Sequence, residues 1–313
     1  MDAFLQRQES LLDLSTNKTV NVNVEYEFGD YILINLNIYV PSQNRKQSGL
    51  KISPSIEHDR SYNLVGIIAH QGDELDSGHY VSYLQTNHGW FLCDDTARSS
   101  KLVTFASIQQ SDYDPYILLY QLGSLELNPK VPVLIGPWRR NNCFMDASMQ
   151  LLFNADHLME SKLVAGSRLH DLQYIFGNYM STKTSIFSIN YHQLGYRKDI
   201  YGNLMGSEED PSALMCVLVE DVSSFAIKEW KVWPDAHKTC NAYHVLLVDW
   251  KYIFDSWPKR PFLNLEMESA KPVAEKVEVN TKNYQALCDM RFHEANLEIF
   301  GALPFGMIDC IKF

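Results

Sequence analysis

The chain has 313 residues, 46% of them hydrophobic and 21% charged, with a formal net charge of −11. Ordinary globular composition at this length supports a sizeable core in one large domain or two smaller ones, and excludes wholesale disorder. The acidity is a poor basis for gripping phosphates, so no nucleic-acid partner is expected; a partner with a basic face suits it better.

In chain order, the first third reads as β. Val20, Val22, Val24, Tyr26 and Phe28 alternate with polar residues, the period of a half-buried strand. Gly29-Asp30 breaks the run, and 31–40 follows as a more buried strand. Residues 41–53 are polar and turn-rich and read as a loop. Short apolar strands recur at 64–69, 80–84, 90–93 and 116–121, separated by turn residues, which predicts an antiparallel sheet. Residues 123–130 read as a connector.

From Cys143 the period becomes helical: Phe144, Met145, Met149, Leu152 and Phe153 share one broad face, Asn142 is placed to cap the helix, and Asp146 puts an acid near its positive end. A second helix is expected from Ser207, with Ser207-Glu208-Glu209-Asp210 as a capping-box variant, Pro211 in the first turn and Leu214, Met215, Leu218 and Val219 as the buried face. After Val232 the chain reads as mixed and β-rich.

The six cysteines (93, 143, 216, 240, 288 and 310) are scattered with no C-x-x-C pair, which argues against a zinc ribbon; no metal and no cofactor is expected. The longest apolar run, 213–219, falls far short of the roughly 18 residues of a membrane span, and the first ten residues carry no basic segment leading into an apolar stretch. The expectation is therefore an intracellular protein, cytoplasmic or nuclear, with reduced thiols and no membrane partner.

Two segments carry chemistry. Gly78-His79-Tyr80 opens one predicted strand, and Asp94-Asp95 closes the next after Trp90-Phe91-Leu92-Cys93. In an antiparallel hairpin those ends meet, and a carboxylate there can accept a hydrogen bond from imidazole Nδ1 and fix the tautomer. Read alone, the pair is also what a surface histidine beside a solvated acidic turn looks like. The second segment, Arg140-Asn141-Asn142-Cys143, places a thiol in the first turn of a helix, where the dipole and a neighbouring imidazolium favour a nucleophilic thiolate. Asn141, Asn142 and the first backbone N–H groups are candidates for an oxyanion hole. Read alone, Cys143 is equally a small core residue.

Taken together, the two segments resemble the ubiquitin-specific protease family. His70-x-Gly72, Gly78-His79-Tyr80, Trp90…Asp94-Asp95 and Tyr116…Leu119-Tyr120 are similar to its His box, and Asn141-Asn142-Cys143-Phe144-Met145-Asp146-Ala147-x-x-Gln150 to its Cys box. Glu209-Asp210-Pro211-x-x-Leu214, Pro261-Phe262-Leu263-x-Leu265 and Ala302-Leu303-Pro304…Ile311-Lys312-Phe313 resemble later motifs. The resemblance implies an α+β, papain-like cysteine protease, with a helical Cys lobe and an antiparallel β His lobe, that hydrolyses the isopeptide or peptide bond at the C-terminus of ubiquitin. Ubiquitin or ubiquitin-conjugated proteins would be its partners. Cys143 would be the nucleophile, His79 the base, Asp94 the group that orients His79, and Asp95 an aid near the oxyanion.

The order of the boxes is circularly permuted relative to the family: a His-box half (1–122), a connector (123–130), then a Cys-box half (131–313). Trp138 stands where the family carries an asparagine five positions before the nucleophile, Cys93 stands where an aromatic precedes the carboxylate, and the paired zinc cysteines of the fingers are absent from the sequence. Asp146 and Asp210-Pro211 look more like the cylindromatosis-type branch. Residues 31–39 and 303–313 resemble the same late strand, so a fragment of a tandem array fits the order as well as a true permutant does. Two further alternatives remain: a catalytically inactive ubiquitin-binding homologue, and a papain-like peptidase in which Cys143 works with His244 and Asp255, another strand-His, turn, strand-Asp pattern.

Overall fold

The computed structural model describes residues 7–13, 17–40, 45–46, 52–72, 78–136, 142–155, 177–189, 211–219 and 222–249, together with Leu5 and Ile175. The motifs at 207–210, 261–265 and 302–313, as well as Trp138, Asn141 and Asp255, lie outside the described residues.

The strands begin with β1 (Gln8–Asp13), β2 (Lys18–Phe28), β3 (Tyr31–Asn37), β4 (Tyr39–Val40), β5 (Arg45–Lys46), β6 (Ser55–Glu57), β7 (Ser61–Gln71), β8 (His79–Thr86), β9 (Gly89–Cys93) and β10 (Lys101–Val103). After the short helix α1 (Phe105–Ile108) come β11 (Asp114–Leu122) and β12 (Leu134–Gly136). Helix α2 (Cys143–Phe153), β13 (Ile186–Ser188), helix α3 (Pro211–Val219), a 3-10 turn (Ser223–Phe225), β14 (Ile227–Val232), β15 (Lys238–Tyr243) and β16 (Leu246–Asp249) complete the described elements. The connector carries neither helix nor strand.

Most strands lie in two sheets. An eight-stranded sheet runs β10-β9-β8-β7-β11-β3-β16, with β6 beside β7, and a four-stranded sheet runs β1-β2-β14-β15. All pairings in them are antiparallel except β16 on β3. The antiparallel expectation for the first third therefore holds. On β2 the inward positions Val22, Val24, Tyr26 and Phe28 are buried between exposed neighbours, as alternation requires. On β3 the first six residues are buried on both faces.

Strands from the two ends of the described chain are interleaved. β14 inserts between β2 and β15, with Ile227 opposite Phe28 and Trp230 opposite Glu25. β16 extends the large sheet at β3. Buried Glu229 on β14 accepts hydrogen bonds from Tyr26 on β2 and from Tyr243 on β15. Tyr31 stacks on Phe225 with centroids 5.1 Å apart, and Asn35 hydrogen-bonds Ser212 of α3. A single apolar core spans Leu5 to Val248. Each sheet thus needs both the early and the late strands to bury its apolar face.

Helix α2 departs from its expected one-faced pattern. Every residue from Phe144 to Phe153 is buried, including Asp146, Ser148 and Gln150. It packs on β8 and β7, with β12 and α3 also against it, so no face is left for solvent. A Cβ at Gly66 on β7 would collide with Leu151 of α2, so glycine there permits the close approach. The polar side chains on α2 are met internally: Ser148 donates to the Phe144 carbonyl at 2.7 Å, and Gln150 accepts from Ile135 N at 2.7 Å. The Gln150 amide also donates to Val133 O at 2.9 Å and to Tyr179 Oη at 2.7 Å. These bonds fix the helix to the segment after the connector.

Candidate active site

The β8–β9 hairpin brings the His-box residues together. Ser82 lies opposite Cys93 and Thr86 opposite Gly89, which carries the start of β8 beside the residues that follow β9. His79 Nε2 lies 2.9 Å from Asp94 Oδ1 and 3.5 Å from Asp95 Oδ1. The carboxylate therefore takes Nε2, and the expectation that it would take Nδ1 is corrected: Asp94 approaches the ring from its far edge, leaving Nδ1 as the other ring nitrogen. Gly78 makes this possible. Its φ is +145°, and a Cβ there would strike the Gln71 carbonyl and the His70 ring. His70 is buried, with its ring 4.6 Å from that of Tyr80.

Asp94 is held by a turn that sequence reasoning overlooked. Its Oδ1 also accepts from Thr96 N at 2.9 Å and from Thr96 Oγ1 at 2.7 Å. An Asp followed two residues later by Thr is a legible Asx-turn signal. Burial, the largest influence, raises the Asp94 pKa, but the hydrogen bonds from His79 and Thr96 outweigh it and hold the carboxylate down at about 2.

Cys143 is the first residue of α2 and lies near enough to His79 to raise its pKa. It is partly buried and free of any disulfide. The Asn142 carbonyl accepts from Met145 N and Asp146 N, both at 2.9 Å, which starts the helix. Asn142 is buried at the N-cap position but makes no side-chain cap bond, so its expected capping role is corrected: with φ −104° and ψ 8° it lacks the extended backbone that turns a cap side chain onto the N3 amide. The hydrogen bond to Asp94, then the neighbouring Cys143 thiol, stabilise the His79 imidazolium against the opposing effect of burial and push its pKa up to about 10.

Asp146, read from sequence as a dipole partner, turns out to be part of this cluster. It is 2% exposed and lies near enough to Asp95 to act on its ionisation. Its position three residues after Cys143, on the same helix face, is the signal that could have found it. Burial of Asp95, the dominant effect on it, raises its pKa. Ligand atoms of His79, Asp94 and Asp95 lie within 4.8 Å of one another. The hydrogen bond from His79 to Asp94 accounts for the closeness of those two residues. Buried Cys93 has its thiol pushed well above the ordinary range by desolvation, the behaviour of an inert core cysteine.

His244 lies in the bend before β16. Four strand spacings separate β16 from β8, about 19 Å across the sheet at ~4.8 Å per strand. Through the register, the start of β16 is level with Tyr83 in the middle of β8, not with His79. No described helix is long and apolar enough to cross a membrane.

A thiol at a helix start, a neighbouring imidazole and a carboxylate hydrogen-bonded to that imidazole are the groups that nucleophilic attack on a carbonyl uses. A comparison with curated proteins found no match. Residues 5–120 match the family described as ubiquitin carboxyl-terminal hydrolase. That matched stretch contains His79, Asp94 and Asp95 and ends before Cys143.

Proposed function

We propose that the protein is a cysteine-type deubiquitinase that cleaves the bond joining the ubiquitin C-terminus to its conjugate, with Cys143 as nucleophile, His79 as general base and acid, and Asp94 orienting His79. The observation that carries the reading is that His79, 2.9 Å from Asp94, also lies near enough to Cys143 at the start of α2 for the thiol to raise its pKa, although the thiol lies outside the family match. The thiol proton passes to His79 and the sulfur attacks the scissile carbonyl carbon. Collapse of the tetrahedral intermediate expels the amine, which takes the proton from His79. Water, deprotonated by His79, then hydrolyses the thioester and frees the ubiquitin carboxylate and the thiol. The backbone N–H groups in the first turn of α2 would stabilise the oxyanion.

Interleaving of β14 with β2, and of β16 with β3, favours a circular permutant over pieces of two tandem domains, because both halves complete the same sheets. An intracellular setting, where ubiquitin conjugates and reduced thiols are found together, suits this activity. The test is labelling by ubiquitin bearing a C-terminal electrophile. Wild type should be labelled at Cys143, Cys143→Ala should not be labelled, and His79→Ala should react orders of magnitude more slowly. Labelling that survives Cys143→Ala would overturn the assignment. Binding of ubiquitin without reaction by wild type would point to the non-catalytic homologue.

A further inference from the structure

His79, Asp94 and Asp95 bring three donor atoms to one end of the β8–β9 hairpin. His79 opens β8, and the two carboxylates follow the last residue of β9. His79 Nε2 lies 2.9 Å from Asp94 Oδ1 and 3.5 Å from Asp95 Oδ1, and ligand atoms of all three fall within 4.8 Å of one another. Donors about 2.0–2.1 Å from a tetrahedral zinc ion stand about 3.3 Å apart, so both measured spacings are close to coordination edges. The hydrogen bond between His79 and Asp94 explains only the shorter of them.

Asp95 supplies an independent observation. Its side chain is 9% exposed, and its buried Oδ1, the atom nearest His79 Nε2, makes no hydrogen bond among the described residues. Leaving a buried carboxylate oxygen without a donor is costly, and an ion is one of the few things that offsets it. Asp94 already has the outer support that a ligand carboxylate needs, from Thr96 N at 2.9 Å and Thr96 Oγ1 at 2.7 Å. One imidazole nitrogen and two carboxylates suit Zn2+, whereas Mg2+ and Ca2+ take oxygen ligands. Two carboxylates also cancel the double charge.

We propose that His79, Asp94 and Asp95 form a binding site for Zn2+, and that the bound ion reversibly switches the hydrolase off. Its inhibitory half rests on the proposed role of His79; the binding does not. The ion takes the Nε2 lone pair and one oxygen from each carboxylate, and the Nε2 proton that had bridged to Asp94 goes to the buffer. A fourth position is left for water. A neutral imidazole has one N–H and one lone pair, so a ring bound to metal through Nε2 carries its proton on Nδ1. Nδ1 then cannot accept the proton of Cys143, and the thiol loses its base.

The test titrates the full chain with Zn2+ in competition with a chromogenic chelator. Cys143→Ala should bind the ion within about threefold of wild type, because the thiol is not one of the three ligands. Asp95→Asn and His79→Gln should each weaken that site at least about tenfold, since even outer-shell changes at metal sites cost that much. If Asp95→Asn fails to fold, His79→Gln carries the comparison. Hydrolysis of a ubiquitin C-terminal fluorogenic amide by wild type should fall with occupancy of the site, recover on addition of EDTA, and ignore Mg2+. Equal affinities in wild type, Asp95→Asn and His79→Gln would overturn the proposal. So would binding that disappears in Cys143→Ala, which would put the ion on the thiol. The expected binding pattern in a chain that leaves ubiquitin substrates intact would support the site and sink the deubiquitinase reading.

Discussion

Asp94→Asn tests the hydrogen-bonded series at the point where three donors converge. Asp94 Oδ1 accepts from His79 Nε2 at 2.9 Å, Thr96 N at 2.9 Å and Thr96 Oγ1 at 2.7 Å. An amide oxygen can keep the same geometry but lacks the charge, and charge-assisted bonds are about twice as strong as neutral ones. The loss to the imidazolium is therefore about 1–2 kcal/mol, or about 5- to 30-fold in kcat/KM. The pH profile should move as well. The Asp94 bond is the first cause raising His79 from 6.5 to about 10, and each pH unit corresponds to about 1.4 kcal/mol. The alkaline limb of kcat/KM should accordingly fall by about one unit in Asp94→Asn. The sign for stability follows from linkage: a group with a raised folded pKa stabilises fully below its unfolded value, here 6.5, and loses that contribution as pH climbs through about 10. The assay is hydrolysis of a ubiquitin C-terminal fluorogenic amide across pH, with His244→Ala as the control expected to resemble wild type. An Asp94→Asn profile that superimposes on wild type, or a dead His244→Ala beside an active His79→Ala, would refute the reasoning.

Other consequences follow from single contacts. Gly78→Ala must tolerate φ +145° and a collision with the Gln71 carbonyl, so it should lose about 1–3 kcal/mol in denaturant melts and lower kcat, because His79 is the next residue. Gln150→Leu strands Ile135 N and Val133 O and removes one of two donors to the Tyr179 hydroxyl; calorimetry should register a loss of about 2–4 kcal/mol, and an unchanged melting temperature would mean that these bonds do not anchor α2. A fragment of residues 1–122 deprives β2 of β14 and β3 of β16. It should show no cooperative urea transition, and a sharp transition of its own would revive the tandem reading.

Strand β2 and the β8–β9 hairpin were legible in the sequence because alternation and turn residues are local signals, and local signals survive in one dimension. The thiol at a helix start was legible for the same reason. β1 was missed: its burial pattern in Gln8–Asp13 does not alternate cleanly, and its partner β2 is what makes it a strand. The choice of Nε2 over Nδ1 for Asp94 depends on the angle at which two strand ends meet, which residue order does not encode. Burial of α2 on every side, including Asp146 and Gln150, came from packing against β7, β8, β12 and α3, partners far away in the chain. What the sequence alone determined is the chemical inventory and its local mounting: a thiol at a helix start, a histidine opening one strand, and two carboxylates closing the next. Only the tertiary structure decided that late strands complete early sheets, that His244 sits four strands away from the strand bearing His79, and that Asp146 is buried. Those are long-range pairings, selected by the apolar area and hydrogen bonds each closes against the chain entropy it costs.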